Sequence, residues 1–329
     1  MTKIRFTTIL GGITGFALLA WLLVNEGLGG IFTVLALVGL NILWVAAYRV
    51  VPISLDAYGW RLLFTKNKRP YFSDLVNARW IAESVNTLFP VGQVGGHILR
   101  ARIIGKKSKN GNEAGATVMV DFTIGLSTQI IFTILGLALL LQQTGQQAAS
   151  TGIFIGVGVA LLVVGCFFFS QKAGLFGFMA HFANRLLRKK KTADLVGSAR
   201  NLDQEIKKIY GLKKQLFSCF LWRLAGWIAK SGEIWLFFYF AGSPISIQDA
   251  LILESISTAF RSAAFIIPGG LGIQDGSLLF IGSLLGLGPD NLLALALSKR
   301  FRELIVGIPG LLWWYREERR HLDSPQVKT

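Results

Sequence analysis

The feature that most constrains this chain is the recurrence of long apolar runs. They lie at Phe6–Val24, Gly29–Val51, Gly115–Leu141, Gly152–Ser170, Leu216–Ala241 and Asn291–Tyr315. At 1.5 Å per helical residue, about 20 residues cover the ~30 Å hydrocarbon layer. A soluble domain has no use for six such runs. Only 16% of the 329 residues are charged, against roughly 25% in water-soluble domains. The chain therefore reads as an all-α polytopic membrane protein with about six full transmembrane helices.

The charges are lopsided, 34 Lys and Arg against 18 Asp and Glu, a net of +16. A basic surplus fits either nucleic acid or an anionic membrane surface. The apolar runs choose the membrane, so no nucleic acid is expected. Asn25–Leu28, Gln142–Ser150, Gly242–Asp249 and Leu287–Asn291 hold no Lys or Arg; their charges are Glu26, Asp249 and Asp290. The basic residues fall in the other connections: Lys3 and Arg5, Arg49 to Arg79, Arg100 to Lys109, Lys172 to Lys214, and Arg316 to Lys328. By the positive-inside rule these face the cytoplasm, and so do both termini. Lys172 to Lys214 carries 11 basic and 3 acidic residues, half of the chain's excess. Within this loop (residues 171–215), Thr192–Tyr210 has the spacing of an amphipathic helix, with Leu195, Leu202, Ile206 and Ile209 between charges. Such a loop suits anionic lipid headgroups. Trp313-Trp314-Tyr315 has the composition of an interfacial aromatic belt.

Motifs for other chemistries are missing. Cys166 and Cys219 fall in apolar runs, as small core residues do. His97, His181 and His321 are far apart, with no HExxH or CxxC, so neither metal nor other cofactor is expected. No GxxxxGK[ST] loop occurs. The apolar run after Met1-Thr-Lys-Ile-Arg is too long for a secretory h-region and reads as a retained first span. The expected layout is one membrane domain over residues 1–315 and a cytoplasmic tail over 316–329.

Two segments, about residues 74–100 and 249–286, are apolar but broken. The first contains Phe89-Pro90-Val91-Gly92 and Gly95-Gly96; the second contains Ile267-Pro268-Gly269-Gly270-Leu271-Gly272. The second turn has no basic residue and its flanks lack them too, so the segment enters from outside, turns near mid-membrane and returns. The first is basic at both ends, at Arg69, Arg79, Arg100 and Arg102, and so enters from the cytoplasm. The reading is two re-entrant broken hairpins entering from opposite faces. Irregular backbone at membrane depth is tolerated only when buried in protein or lining a wet cavity. Pro removes a helix donor and Gly permits unusual angles, so each turn can leave half-helix N-termini suited to an anion. Interrupted segments in both halves of a membrane protein point to a transport site. The alternative is a pair of ordinary helices kinked at proline.

Pro268-Gly-Gly-Leu-Gly-Ile-Gln-Asp-Gly-Ser and Ser298-Lys-Arg-Phe-Arg-Glu-Leu-Ile-Val-Gly-Ile-Pro-Gly-Leu resemble the membrane domain of lysylphosphatidylglycerol synthases. Arg79-Trp-Ile-Ala-Glu-Ser-Val-Asn-Thr-Leu-Phe-Pro-Val-Gly-Gln-Val-Gly-Gly-His is most similar to the stand-alone hopanoid-biosynthesis-associated inner-membrane branch of that family. The resemblance runs from about Thr2 to Tyr315. It departs from the family pattern at Gly95-Gly96-His97 and at Asp275, where Gly-Glu and Glu often stand. It implies a flippase-like domain with two re-entrant hairpins in the bacterial inner membrane. The tail after Tyr315 is too short for the aminoacyl-transferase domain of the larger synthases. Membrane lipids are the implied partners, with hopanoid-pathway proteins as further candidates.

Ionisable groups inside lipid are functional candidates by default. In the last run, Lys299, Arg302 and Glu303 share one helical face, with Lys299 and Glu303 spaced i, i+4 and Arg300 beside them. Glu303 can hold these cations and still leave net positive charge for an anionic headgroup; an ion-pair network that only locks helices is the alternative. Glu254 and Arg261 lie seven apart before the second turn, and Asp275 follows it. Glu83, Asn86, Gln93 and His97 surround the first turn, which Arg100 and Arg102 close. Asp121 is an isolated acid, and Glu233 has Lys230 three residues before it as a local partner; either acid could instead neutralise Arg261 or Arg302, or carry protons. Glu83, Asp121, Glu233, Glu254 and Asp275 are the candidate counter-ions or coupling acids. Gly125, Ser127 and Thr128 suit close helix packing. The expected function is a lipid translocase, not an enzyme, with the headgroup entering between the two turns and held by Arg261, Arg302 and donors near Arg100. Lys299, Arg300, Glu303, Asn86, Gln93 and His97 are further candidate headgroup contacts. An intramembrane lipid-modifying enzyme using Glu254 and Asp275 for acid/base work, or a scaffold for hopanoid synthesis or export, are the alternatives. The cations favour an anionic headgroup, whereas simple hopanoids carry none.

Overall fold

A computed structural model describes residues 28–66, 69–89, 95–108, 110–145, 192–263 and 272–323. Every regular element among these residues is helical. In chain order they are α1 (Leu28–Val38), a 3-10 turn (Gly39–Asn41), α2 (Ile42–Tyr48), α3 (Val50–Arg61), α4 (Phe72–Leu88), α5 (Gly95–Ser108), α6 (Gly111–Thr144), α7 (Thr192–Gly211), α8 (Lys213–Phe240), α9 (Ile247–Ala263), α10 (Ile273–Leu284) and α11 (Pro289–Asp323). The runs Phe6–Val24 and Gly152–Ser170 lie outside the described residues.

The other four runs coincide with helices, with longer bounds than the sequence suggests. The second run continues past Val51 to Arg61, so Arg49 sits between α2 and α3 inside a helical stretch and not in a polar connection. Phe32–Arg61 and Gly111–Thr144 are the stretches, among the described residues, long and apolar enough to cross a membrane. The 34 residues of α6 reach about 50 Å at 1.5 Å each. The remaining two runs, in α8 and α11, are less apolar because each carries buried ionisable residues: Arg223 and Glu233 in α8, and Lys299, Arg302 and Glu303 in α11.

Local chemistry sets the helix starts. Asn110 accepts the Glu113 N–H at 3.1 Å, capping α6. Ser246 and Asp249 cap α9 reciprocally: the Ser246 hydroxyl accepts the Asp249 N–H at 3.0 Å, and the Asp249 carboxylate accepts the Ser246 N–H at 3.3 Å. Each segment with a Pro-Gly break yields two helices, α4 and α5 in the first, α9 and α10 in the second. Pro90, Gly92, Gln93, Pro268, Gly269 and Gly270 lie outside the described residues. Gly272, just before α10, has φ +74, a conformation that disfavours a side chain. Its N–H donates to Asp275 Oδ2 at 2.9 Å, so Asp275 fixes the start of α10.

The chain divides into two compact units. The first takes its described residues from Met1–Val50, Asn77–Gly96 and Ser231–Thr329. There α11 packs on α1, α2 and α10, and α10 packs on α9. Ile234, Phe237, Phe238, Leu253, Leu278 and Leu293 are fully buried in it. The Trp80 indole N–H donates to the Val306 carbonyl at 2.8 Å, three residues before Pro309 inside α11. The second unit takes its residues from Val51–Val76 and His97–Lys230. In it α7 packs on α6, burying Ile206 and Ile209. Trp60 is fully buried and donates to the Thr117 hydroxyl at 3.2 Å.

Candidate functional site

Four charged residues of α11 fall within five positions, and the first unit surrounds them with partners. Arg302 Nε meets Glu233 Oε1 at 2.8 Å, and Arg49 Nη2 meets Glu83 Oε1 at 2.6 Å. The cross contacts close the ring: Arg49 to Glu233 at 3.7 Å and Arg302 to Glu83 at 3.8 Å. Two guanidinium groups thus share two carboxylates from α4, α8, α11 and the α2–α3 junction. The Arg302 and Glu233 side chains are 6% and 3% exposed, whereas Arg49 and Glu83, at 14% and 26%, form the more accessible side of the ring.

Around the second break, α11 holds both neighbouring helices. Arg261, near the end of α9, donates to Glu303 at 2.8 Å and to the Gln274 side chain at 3.3 Å. Arg300 grips Asp275 of α10 with one nitrogen at 2.9 and 3.0 Å, and its other terminal nitrogen donates to Glu303 at 2.9 Å. Deeper in α9, Lys299 Nζ donates to Glu254 Oε2 at 2.6 Å, while Thr258 donates to Glu254 Oε1 at 3.2 Å. Charge-assisted contacts of this kind are roughly twice as strong as neutral hydrogen bonds. They also offset the several kcal/mol that each buried ion costs.

These pairs correct several expectations. Glu303 does not hold Lys299; Glu254 does, and Glu303 serves Arg261 and Arg300 instead. Glu233 pairs with Arg302 and Arg49 rather than with its helical neighbour Lys230, which lies over the Trp227 ring at 3.4 Å and 4.0 Å from Asp56. No net positive charge is left over in this set. Arg49, Arg261, Lys299, Arg300 and Arg302 stand against Glu83, Glu233, Glu254, Asp275 and Glu303, five cations and five carboxylates. Glu254 and Asp275 are each engaged by a different cation, not paired with one another as acid and base.

Arg100, His97 and Asp121 belong to a second cluster, within the second unit. Arg100 contacts Asp121 at 2.8 Å and His97 Nδ1 at 3.0 Å, and its guanidinium lies 4.8 Å from the Trp60 ring centroid. Asp121 is therefore not isolated; Arg223 also reaches it at 3.9 Å and bonds Asp56 at 2.9 Å. Gly125 does more than allow helices to approach, since a Cβ there would run into the Arg223 guanidinium. Ser127 and Thr128 bond carbonyls of their own helix. Asn86, in the first unit, accepts the Gly96 N–H at 2.8 Å and so ties α4 to the start of α5. Among the described residues no group of His, Cys, Asp and Glu is arranged to hold a metal.

Sequence reasoning missed Arg49, Arg223, Asp56 and Gln274 as members of these clusters. Arg223 carries a usable signal, an ionisable residue inside an apolar run, whereas Arg49, two residues from the end of its run, reads as a loop charge. Asp56 and Gln274 carry none, because each acquires its role only from partners distant in sequence.

The model of the family described as Lysylphosphatidylglycerol synthase TM region matches residues 8–310 of this chain. No curated protein and no solved structure matches it.

Proposed function

Because the chain belongs to the lysylphosphatidylglycerol synthase TM-region family, we propose that it is a translocase moving a lipid between the leaflets of the bacterial inner membrane. Membership makes it a membrane protein of a family tied to lipid handling; the leaflet transfer, the compartment and the orientation are the proposal. In this reading both termini are cytoplasmic, α4–α5 and α9–α10 are re-entrant hairpins from opposite faces, and the chain makes and breaks no covalent bond. Its place beside hopanoid-pathway proteins, as in the branch the sequence resembles, is part of the same proposal.

The observation that carries the reading is the grip of α11 on both sides of the second break. Glu303 holds Arg261 before it, and Arg300 holds Asp275 after it. Ion pairs can exchange partners without losing their charge compensation, so such a hairpin can rearrange without exposing bare charge to lipid. A polar headgroup competing for these contacts could open the grip on one side and be released on the other. Engagement of Glu254 and Asp275 by separate cations supports transport over acid/base chemistry.

Reconstitution into liposomes with tail-labelled phospholipid tests the reading. Protein-dependent appearance of label in the opposite leaflet is expected. Transfer no faster than in empty liposomes, for every lipid class tried, overturns it.

A further inference from the structure

The five-and-five balance constrains the headgroup. We infer that the Arg261–Glu303 pair is the entry point for a zwitterionic lipid, whose phosphate binds Arg261 and whose ammonium binds Glu303; this rests on the translocase reading. Arg261, with 22% of its side chain exposed, is the most accessible of the five cations in the network. Both members of the pair keep a second hold when it opens, Arg261 on Gln274 and Glu303 on Arg300. The Arg49–Glu83–Arg302–Glu233 ring is different, because each cation there reaches both carboxylates and no single ion pair opens alone.

An anion without a cation, arriving at Arg261, would displace Glu303 and add a negative charge to a balanced set in low dielectric. That is costly. A phosphate joined to an ammonium inserts head to tail: the phosphate oxygen takes the Arg261 donors, and the ammonium takes the Glu303 oxygen so released. The opened ion pair is thereby replaced by two of the same kind, and the total charge of the set stays zero. Flanking these residues in sequence are Phe260, Phe301 and Leu304, which are 46%, 49% and 47% exposed. Such apolar side chains suit the acyl chains of a lipid whose headgroup sits at this pair.

The test uses the full chain in vesicles of equal parts phosphatidylethanolamine and phosphatidylglycerol, with a tail-labelled tracer of one lipid or the other. The zwitterionic tracer is expected to cross roughly tenfold faster, the scale of one charge-assisted hydrogen bond. Glu303→Gln frees a cation and should reverse the preference toward phosphatidylglycerol. Should that variant not fold, Arg261→Gln, at the more exposed partner, should bring the two rates together. Equal rates or faster phosphatidylglycerol in the wild type overturn the inference, as does a preference unchanged by either substitution. If neither tracer moves, translocation fails instead. Binding then decides the headgroup class: native mass spectrometry of the protein in nanodiscs of the same mixture should find phosphatidylethanolamine retained, and preferential retention of phosphatidylglycerol overturns the inference.

Discussion

Arg302 and Glu233 meet at 2.8 Å although 69 positions separate them in the chain. Both side chains are almost wholly buried. The pair joins α8 to α11, and removing one member leaves the other only its longer contact, Arg49 for Glu233 or Glu83 for Arg302.

Glu233→Gln or Arg302→Gln alone should therefore destabilise the protein by up to about 3–5 kcal/mol, the usual cost of breaking a buried ion pair, reduced to the extent that the remaining contact compensates the survivor. The double substitution Glu233→Leu with Arg302→Met should cost less than either single change. Thermal unfolding of the four proteins in detergent, as a double-mutant cycle, measures this. A double variant as unstable as the sum of the singles counts against coupling.

Gly125 and Arg223 make a second coupled pair. A methyl group at 125 occupies the position of the guanidinium, which must then shift away from Asp56 and Asp121. Gly125→Ala should cost about 1–3 kcal/mol, as overpacking does. The same change should cost much less in an Arg223→Gln background, where the shorter side chain leaves the space free. Unfolding midpoints in detergent decide between the two outcomes.

Much of this architecture is legible in the sequence, and the illegible part has a physical cause. Hydropathy and Pro-Gly punctuation locate α6, α8, α11 and the broken pairs α4–α5 and α9–α10, because helix length and helix interruption are local properties. The candidate charges Lys299, Arg300, Arg302 and Glu303 are readable too, since an ion in an apolar run stands out. Their partners are not. Helical spacing suggests Glu303 for Lys299 and Lys230 for Glu233, yet Glu254 holds Lys299, and Arg302, open from the sequence only as one of several alternatives, holds Glu233. Those choices depend on which helix faces which, and that is set by packing of segments far apart in the chain. Arg49 is obscured because it stands at the edge of a run, where a cation usually reads as a loop charge.

Asn86 should matter beyond its small size. Its side-chain oxygen accepts the Gly96 N–H at the start of α5, as a cap does. Asn86→Ala should cost about 1 kcal/mol, and Asn86→Asp, which keeps the acceptor, should cost less. Limited proteolysis between α4 and α5 should be faster in the alanine variant; equal cleavage in both variants would contradict the capping role.

The docking of α7 on α6 rests on aliphatic side chains. Ile206 is fully buried and Ile209 nearly so. Ile206→Ala should cost about 2–5 kcal/mol, whereas Lys208→Ala, on the exposed face in a pair with Glu205, should change stability by less than about 1 kcal/mol. Hydrogen exchange over α7 should rise sharply in the first variant and stay near wild type in the second.

The equality of five cations and five carboxylates around α11 also has an electrical meaning. A unit charge driven across 100 mV exchanges about 2.3 kcal/mol with the membrane potential. Ten side chains whose charges sum to zero exchange no such net work on moving together. Displacement of that set is electrically silent, and with a zwitterionic cargo it stays so while loaded. In the proposed translocation, the membrane potential therefore does no net work on these ten side chains.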